Sequence, residues 1–459
     1  MENTLLIKGA NIIIYLYKFV IMESRPVKIF TSSNVPRLRY IAEIILGDIL
    51  GLNWEMVTDR RKLGKNPVIN YSSENITGSF KINPDTLLFE ETVKKREITT
   101  SDWKGLPVFF QTTSDSDLPF DIFASSFFLI SRYEEYLELE HDEYGRFRAS
   151  SSVAYRNGFL DLPVVDLWTK EFAKALLRKF QTLVFKRNKY EALITIDVDE
   201  PFAYLGKGVF ASLGGFINDI ADSQKHVSDR YDCVAKGKKD PYDVFDYIIE
   251  TIEKSNTDVR FFIPTADRSE FDKNPSWMNE EYRKLINSIA DKLKIGLHPS
   301  FRASDNESLL KTEVDRLRSI LQKDVRLSRF HYLRILMPDS YRNLINAGIT
   351  EDYSMGYPEE PGFRAGLARP FFFYNIVEEK QSNLRIIPFQ IMDVTLSDYK
   401  KLEPDSSRGL ILKAINETKR VGGVFVSIWH NTSLLDNQEC RGWREVFEFM
   451  LKNQKPLVN

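Results

Sequence analysis

Two aspartates lie two residues apart after a short apolar run near the middle of the chain, in the segment 195–201 (Thr-Ile-Asp-Val-Asp-Glu-Pro). Alternate side chains of a strand share one face, so Asp197 and Asp199 are predicted to project together from a strand that ends before Pro201. Two neighbouring carboxylates repel each other unless a cation or a proton lies between them. One of them is therefore suited to bind a divalent metal while the other acts as a base, although a pair that caps a turn explains the pattern equally well.

Three of the five histidines in the chain also follow apolar runs, namely His298, His331 and His430. A single histidine at such a position is more often structural than a metal ligand. Three of them in the same half of the chain as the aspartate pair favour a metal-dependent hydrolase. The other two, His141 and His226, lie in charged or loop-like stretches and are predicted to be exposed.

These residues belong to a part of the chain in which short apolar runs alternate with segments of helical period. The predicted strands are 192–196, 258–263, 294–297, 325–329, 348–352, 384–388 and 423–429. Asp240-Pro241 and the capping-box pattern Ser304-x-x-Glu307 are predicted to begin two of the helices between them. Such alternation is typical of a parallel β/α barrel or open sheet, in which functional residues lie at the carboxyl ends of the strands.

Length and composition restrict the class of protein. A chain of 459 residues with 43% hydrophobic residues is long enough for two or three domains with packed cores, which excludes disordered and low-complexity proteins. The 63 basic and 65 acidic residues nearly balance, so no general attraction to nucleic acid is expected. Two cysteines are too few for a disulfide framework or a thiolate cluster. We predict an N-terminal α/β or α+β accessory domain of unknown role over residues 1–185 and a second domain over residues 186–459.

The apolar segment 11–22 (NIIIYLYKFVIM) is the main candidate for a targeting signal. A membrane span needs about 20 apolar residues, and this segment is shorter and contains Lys18. The residues before and after it do not have the pattern of a secretory signal. We therefore expect a cytoplasmic protein without a membrane span.

The order of the motifs resembles that of the polysaccharide deacetylases, which are the NodB-homology or carbohydrate esterase family 4 superfamily. The similar motifs are Thr-Ile-Asp-x-Asp, Gly-Leu-His-Pro-Ser, Arg-x-His-Tyr, Gly-Ile-Thr-Glu-Asp-Tyr-Ser and a strand-end histidine, and they extend over residues 190–435. The pattern is most similar to a bacterial branch with an extra N-terminal domain. The resemblance implies a distorted (β/α) barrel and a hydrolase that removes N-acetyl groups from a sugar or polysaccharide.

The resemblance also implies roles for individual residues. Asp197 would be the general base, Asp199 and His298 would bind a divalent metal, and His430 would protonate the departing amine. The metal, with Zn²⁺ preferred over Co²⁺ or Ni²⁺, would polarise the acyl carbonyl and lower the pKa of bound water from about 15.7 towards about 7.

Other residues would support this chemistry. Arg329 would orient the base through a charged hydrogen bond, a backbone N–H near Tyr332 would bind the developing oxyanion, and Asp352 would have a supporting role. Outside the motifs, Arg364 and Trp429 are predicted to contact the carbohydrate. An arginine that holds a loop through a buried acid and a tryptophan of the core explain these two residues equally well.

One position departs from the family pattern. The family supplies a second histidine four residues after the first, whereas this chain has Arg302, which cannot be a ligand. Because a catalytic zinc ion usually has three protein ligands, His331 is predicted to be the substitute. Ser300, Glu200 and water are the alternatives.

Two other functions are compatible with these motifs. The first is a catalytically silent carbohydrate-binding relative that has lost its metal. The second is a glycosyltransferase that uses its Asp-x-Asp motif to hold a nucleotide-sugar diphosphate through Mn²⁺ or Mg²⁺. Stoichiometric metal together with acetate release would distinguish the hydrolase from both.

Overall fold

The computed structural model describes residues 25–137, 140–205 and 224–456, so the apolar segment 11–22 lies outside the described residues. The chain divides into two compact units. Among the described residues, the first unit comprises 25–90, 99–125 and 167–187, and the second comprises 91–98, 126–166 and 188–456. None of the described helices is long and apolar enough to cross a bilayer. The cytoplasmic location stays a prediction.

This division differs from the predicted single domain boundary after residue 185, because residues 126–166 belong to the second unit. Buried polar contacts explain this. Asp166 accepts hydrogen bonds from the backbone N–H of Ala368 at 2.8 Å and from Arg369 Nε at 2.6 Å. Glu135 binds the buried Arg364 at 2.6 Å. Pattern reasoning on the sequence does not reveal such pairs, whose partners lie about 200 residues apart along the chain.

The first unit contains a parallel sheet of four strands in the order β2-β1-β3-β4. Its strands are β1 (Val27–Thr31), β2 (Trp54–Val57), β3 (Val68–Tyr71) and β4 (Phe80–Lys81), followed by the hairpin β5 (Ser101–Trp103) and β6 (Leu106–Val108). Its helices are α1 (Pro36–Ala42), which continues as a π-helix over Glu43–Ile49, and parts of α2 (Ile122–Ile130) and α4 (Val164–Lys179). The predicted α/β character of this part of the chain is thus found.

The second unit contains a sheet of nine strands in the order β12-β13-β11-β10-β9-β8-β7-β15-β14. All neighbours are parallel except β12 and β13. The strands are β7 (Glu191–Asp197), β8 (Asp258–Ile263), β9 (Lys294–Leu297), β10 (Leu327–Ser328), β11 (Glu351–Asp352), β12 (Phe371–Asn375), β13 (Lys380–Ile386), β14 (Ile391–Met392) and β15 (Val424–His430). Among the described residues the edge strands do not pair with each other, so the sheet is not a closed barrel.

Helices alternate with the strands from β7 to β11 and from β14 to β15, as expected from the sequence, whereas no described helix separates the strands from β11 to β14. The helices of the second unit are α3 (Val153–Arg156), α5 (Gln224–Lys236), α6 (Phe245–Ser255), α7 (Glu280–Ala290), α8 (Glu307–Leu321), α9 (Asp339–Asn346), α10 (Pro404–Val421) and α11 (Trp443–Asn453). Amphipathic helices such as α6 bury one apolar stripe, which explains why their periodicity predicts them well.

Both predicted helix starts are wrong, because tertiary contacts use the proposed capping residues elsewhere. The carboxylate of Asp240 accepts hydrogen bonds from the backbone N–H groups of residues 203–205, and α6 begins only at Phe245. The hydroxyl of Ser304 donates to the backbone oxygen of Phe301 and accepts a hydrogen bond from Arg334 Nη1. Instead, Asn306 caps α8 by accepting a hydrogen bond from the backbone N–H of Leu309 at 3.0 Å.

Candidate active site

The carboxyl ends of neighbouring parallel strands bring the candidate residues together. Asp197 is the last residue of β7 and pairs in register with His430, the last residue of β15. His298 directly follows β9 on the other side of β8. Gly296 makes this arrangement possible, because a Cβ there would lie 2.6 Å from the ring of Phe262 and 2.8 Å from the Cβ of Leu327.

Asp199 lies among three imidazoles. Its Oδ1 is 3.1 Å from His298 Nε2, and its Oδ2 is 3.6 Å from His331 Nε2 and 3.7 Å from His430 Nε2. Asp199 Oδ1 and His298 Nε2 are both buried, and neither has a hydrogen-bond partner among the described residues. Buried polar atoms are nearly always satisfied, so this pair of atoms suits a cation as a shared partner.

All three histidines are oriented in the same way. The Nδ1 of His298 donates to the backbone oxygen of Arg329 at 2.5 Å, that of His331 to Asp272 at 2.9 Å, and that of His430 to Asp393 at 2.7 Å. A hydrogen bond at Nδ1 fixes the tautomer and leaves Nε2 for a metal or a transferable proton. In each ring Nε2 is the nitrogen that faces Asp199, and the Nε2 atoms of His298 and His430 also lie 3.9 Å from Asp197.

Asp199, His298 and His331 each offer one potential ligand atom, and these atoms lie within 4.8 Å of one another. Zinc binds carboxylate oxygen and imidazole nitrogen at about 2.0–2.2 Å in tetrahedral geometry, so the ligand atoms of one ion lie about 3.3–3.6 Å from each other. The widest separation in the cluster would therefore contract by about 1 Å on metal binding. The number and types of donors fit a divalent cation.

Asp197 is held differently from Asp199. Arg329 Nη1 donates to Asp197 Oδ1 at 2.9 Å, and Arg329 Nε donates to the backbone oxygen of Tyr353 at 3.0 Å. Both members of this ion pair are buried, and the guanidinium also lies 4.6 Å from the ring centroid of Phe262. The second oxygen of Asp197 is 3.9 Å from the Nε2 atoms of His298 and His430. One oxygen is thus anchored while the other faces the imidazoles.

The electrostatics of the cluster depend on opposite charges that outweigh burial. Burial alone would raise the pKa of Asp199, but the charge of His331 and the contacts with the other two histidines lower it well below its usual range. Burial would lower the pKa of His331, yet Asp199 and Asp272 raise it to about 9. In the same way Asp393, together with Asp199 and Asp197, outweighs burial and raises the pKa of His430 to about 10. Without a metal, His331 and His430 are therefore protonated on both ring nitrogens at neutral pH.

A cavity of about 450 Å³ opens directly above these groups. Its walls include Asp197, Asp199, His298, His331 and His430. Further lining residues come from the loop at Tyr332 and from the segment around Tyr144. The cavity is large enough for a small ligand such as a sugar residue.

Of the other residues singled out from the sequence, one lines the cavity, one is buried behind its wall and one is exposed. Tyr332 lines the cavity, and its backbone has the left-handed conformation, with φ 59°. Asp352 is buried behind the cavity wall, where it accepts a hydrogen bond from Ser354, whose hydroxyl accepts one from Phe330 N–H. Arg302 is exposed and lies 4.0 Å from Glu270, away from the cluster.

The structure does not bring Arg364 or Trp429 to the cavity. Arg364 is buried in an ion pair with Glu135 and donates to the backbone oxygen of Gly356, so it holds a loop through a buried acid. Trp429 is fully buried and its indole N–H contacts Met450 Sδ. The prediction that Arg364 and Trp429 contact the carbohydrate is therefore wrong. Arg364 holds a loop through a buried acid, and Trp429 is a residue of the core. Of the alternative metal ligands, the Ser300 hydroxyl donates to Glu313 at 2.5 Å, and Glu200 is not in the cavity wall.

Two aspartates that the motifs do not predict, Asp272 and Asp393, accept hydrogen bonds from the Nδ1 atoms of His331 and His430. Asp393 does follow a short apolar segment, and it lies directly after β14, so a strand-end signal existed for it. Asp272 lies in a loop rich in charged residues between β8 and α7, and nothing in its local sequence distinguishes it from a surface aspartate.

Comparisons with known proteins give limited similarity. A family model described as a family of unknown function (DUF7033) matches residues 27–181. No curated protein matches the chain. Among solved structures, a chain described as a polysaccharide deacetylase from Mycobacterium smegmatis is 15% identical, with a TM-score of 0.38, over 58% of this chain and 84% of that one.

Two further solved structures show the range of these matches. The polysaccharide deacetylase of Bacillus cereus is 10% identical, with a TM-score of 0.29, over 58% of this chain and 87% of its own. A carbohydrate esterase family 4 pseudoenzyme from Bacillus anthracis is 12% identical, with a TM-score of 0.30, over 59% of this chain and 63% of its own.

Proposed function

We propose that the second unit is a metal-dependent hydrolase that removes N-acetyl groups from a sugar or polysaccharide. The observation that carries the proposal is the common orientation of His298, His331 and His430, whose Nε2 atoms all lie within 3.7 Å of a carboxylate oxygen of Asp199. The resemblance of the motif order to polysaccharide deacetylases supports the choice of substrate, a carbohydrate amide.

Asp199, His298 and His331 would hold the metal. A divalent ion such as Zn²⁺, with Co²⁺ and Ni²⁺ as alternatives, would polarise the acyl carbonyl and acidify water when bound. The hydrogen bonds from His298 to a backbone carbonyl and from His331 to Asp272 keep both Nε2 atoms directed at the site. Such outer contacts fix ring orientation and raise the basicity of the ligands.

Asp197 and His430 would carry the proton transfers. Asp197 would accept the proton of the attacking water, with Arg329 fixing its other oxygen through a charged hydrogen bond. His430, protonated at neutral pH because of Asp393, would donate its Nε2 proton to the departing amine. A backbone N–H of the loop at Tyr332 is our candidate donor to the developing oxyanion.

The ion pair between Asp197 and Arg329 does not favour an Asp-x-Asp glycosyltransferase, in which both carboxylates serve the metal-bound diphosphate, because Arg329 already binds one of them. A carbohydrate-binding relative without metal would not need three histidines directed at one carboxylate. These observations favour the hydrolase over both alternatives.

The direct test is acetate release from oligomers of N-acetylglucosamine by the full-length protein. We expect release with Zn²⁺, Co²⁺ or Ni²⁺, its loss after treatment with a chelator, and its recovery after metal is added back. Binding of the oligomers without any acetate release at any metal concentration would instead support the silent relative. Binding of a nucleotide sugar that requires Mn²⁺ would support the transferase.

His331→Ala is expected to weaken zinc binding by at least about 100-fold, because even changes in outer contacts of a metal ligand cost about 10- to 100-fold. The metal must also displace the proton of His331, whose pKa is about 9. Zinc affinity of the wild type should therefore fall about tenfold for each pH unit below about 9, and this dependence should be weaker in the variant.

Titration of the metal-free protein with zinc at several pH values measures both effects. His141→Ala, which removes an exposed histidine, is the matched control and should bind zinc as the wild type does. Unchanged zinc affinity in His331→Ala would remove His331 from the set of ligands.

Asp393→Asn is expected to lower kcat by about 10- to 100-fold and to move the alkaline limb of its pH profile to lower pH. The charge of Asp393 raises the pKa of His430 to about 10, which keeps this acid protonated in alkaline solution. Without that charge the acid loses its proton at a lower pH. The kcat profile between pH 6 and 10 measures the shift, and an alkaline limb that stays in place would contradict the role of His430 as the acid.

A further inference from the structure

A short hairpin that precedes the nine-stranded sheet in sequence forms part of the cavity wall. We call residues 141–147 the rim hairpin. Its ends pair through an antiparallel bridge between His141 and Phe147, and Asp142 accepts hydrogen bonds from the backbone N–H groups of Tyr144 and Arg146. Gly145 has φ 76°, which closes the turn. The rim hairpin therefore presents Tyr144 and Arg146 in a defined conformation, and both line the cavity.

Arg146 connects the rim hairpin to two other parts of the cavity wall. Its Nε forms an ion pair with Asp142 at 2.7 Å, its Nη1 donates to the backbone oxygen of Tyr332 at 2.9 Å, and its Nη2 donates to the hydroxyl of Tyr399 at 3.1 Å. The guanidinium is buried and lies 4.8 Å from the ring centroid of Tyr144. Each guanidinium nitrogen of Arg146 thus has a protein partner, so this cation holds three parts of the cavity wall together.

The three tyrosines that Arg146 connects all line the cavity. The rings of Tyr144 and Tyr332 lie 5.1 Å apart at 40° to each other, and Tyr332 also packs on His331 at 4.6 Å. Tyr399 is 41% exposed although its hydroxyl is bound. Partly exposed aromatic rings held in place in this way are suited to contact the apolar face of a sugar ring while leaving its hydroxyls in water.

The charges at the mouth of the cavity are acidic. Glu143 and Asp398 line it and are exposed. Within the described part of the chain, neither carboxylate forms an ion pair, whereas the charge of Arg146 is balanced by Asp142. At the base, Arg329 balances Asp197, and Asp199 lies among the imidazoles, so the two carboxylates at the mouth are the charges that favour neutral or cationic ligands over anionic ones.

We propose that Tyr144, Tyr332 and Tyr399 form a subsite for a sugar ring next to the reacting amide, and that this subsite accepts neutral or amine-bearing sugars and discriminates against acidic ones. The identity of the reacting amide rests on the proposed function, but the subsite itself does not. Arg146 is a positioning residue in this proposal, since it acts through the tyrosines and the loop at Tyr332.

Titration calorimetry on the full-length protein tests the proposal, with Asp197→Asn as the background so that the ligand is not consumed. The probes are tetramers of β-1,4-linked N-acetylglucosamine (neutral), β-1,4-linked glucosamine (cationic) and galacturonate (anionic). We expect Tyr144→Ala and Tyr399→Ala each to weaken binding of the neutral tetramer by about 3- to 10-fold, and Tyr144→Phe to restore most of the affinity. Tyr231→Ala removes a tyrosine that is 58% exposed and outside the cavity wall, and it should have no effect.

The anionic tetramer is expected to bind at least about 10-fold more weakly than the neutral one at low ionic strength, with a smaller difference at high salt. Equal affinity of the neutral tetramer for the background protein and for a Tyr144→Ala, Tyr399→Ala double variant would overturn the subsite, as would equally tight binding of the anionic tetramer or no binding of the neutral one. Tyrosine-dependent binding without any acetate release by the wild type would support the subsite and contradict only the proposed hydrolysis.

Discussion

Asp197→Asn is expected to reduce kcat for deacetylation by about 10²- to 10⁴-fold while the protein retains its metal, because an amide cannot accept the proton of the attacking water. The asparagine has nearly the same shape and can still accept the hydrogen bond from Arg329, which holds Asp197 at 2.9 Å. The loop geometry should therefore persist. Steady-state kinetics on a soluble N-acetylglucosamine oligomer, combined with metal analysis of the same sample, gives both values.

A control variant and a folding measurement accompany the Asp197→Asn experiment. Asp324→Asn removes the charge of an exposed aspartate that pairs only with the exposed Arg326 in the described structure, and it should leave kcat unchanged. Because Arg329 loses a charged partner in Asp197→Asn, circular dichroism must show that the variant is folded. A folded variant that keeps its metal and turns over at the rate of the wild type would show that Asp197 is not the base.

Glu135→Ala is expected to destabilise the second unit by about 3–5 kcal/mol, because it leaves the buried Arg364 without a carboxylate and the buried Arg132 with Glu134 alone. Glu135 binds Arg132 at 2.7 Å and Arg364 at 2.6 Å, and all three side chains are at least 97% buried. In a unit of this size such a loss lowers the midpoint of thermal unfolding by about 10 °C. Thermal unfolding followed by circular dichroism measures the shift.

An exposed ion pair provides the control for this prediction. Glu250 lies 3.9 Å from Lys254 on the surface of α6, and exposed pairs of this kind contribute at most about 1 kcal/mol. Glu250→Ala should therefore change the midpoint by less than about 3 °C. If Glu135→Ala unfolds at the same temperature as Glu250→Ala, the buried network around Arg132 does not stabilise the second unit as we describe.

The strands that carry the central residues could be predicted from the sequence because they are short, apolar and clearly bounded. The predicted strands 258–263 and 294–297 have the observed bounds of β8 and β9, and β7 extends one residue beyond the prediction at each end. The shorter strands β10 and β11 were predicted too long. Since strand ends position the side chains, the convergence of Asp199, His298 and His430 followed from local sequence and parallel topology.

Contacts between residues far apart in sequence could not be predicted in this way. Asp272 holds His331 across 59 residues, and Asp393 holds His430 across 37. The sequence predicts that Arg364 contacts the carbohydrate, yet Glu135, 229 residues away, binds it. The local sequence pattern indicates which residues lie at strand ends. It does not identify the hydrogen-bond partner of each polar side chain in the folded chain.

The central claim is that Asp199, His298 and His331 bind one divalent ion. Elemental analysis of the purified protein, combined with an anomalous-scattering map of its crystals, tests it most directly. The account predicts one zinc, cobalt or nickel ion per chain, with density between Asp199 Oδ1 and the Nε2 atoms of His298 and His331. Protein saturated with zinc whose map shows no ion there, or an ion at other residues, would contradict it.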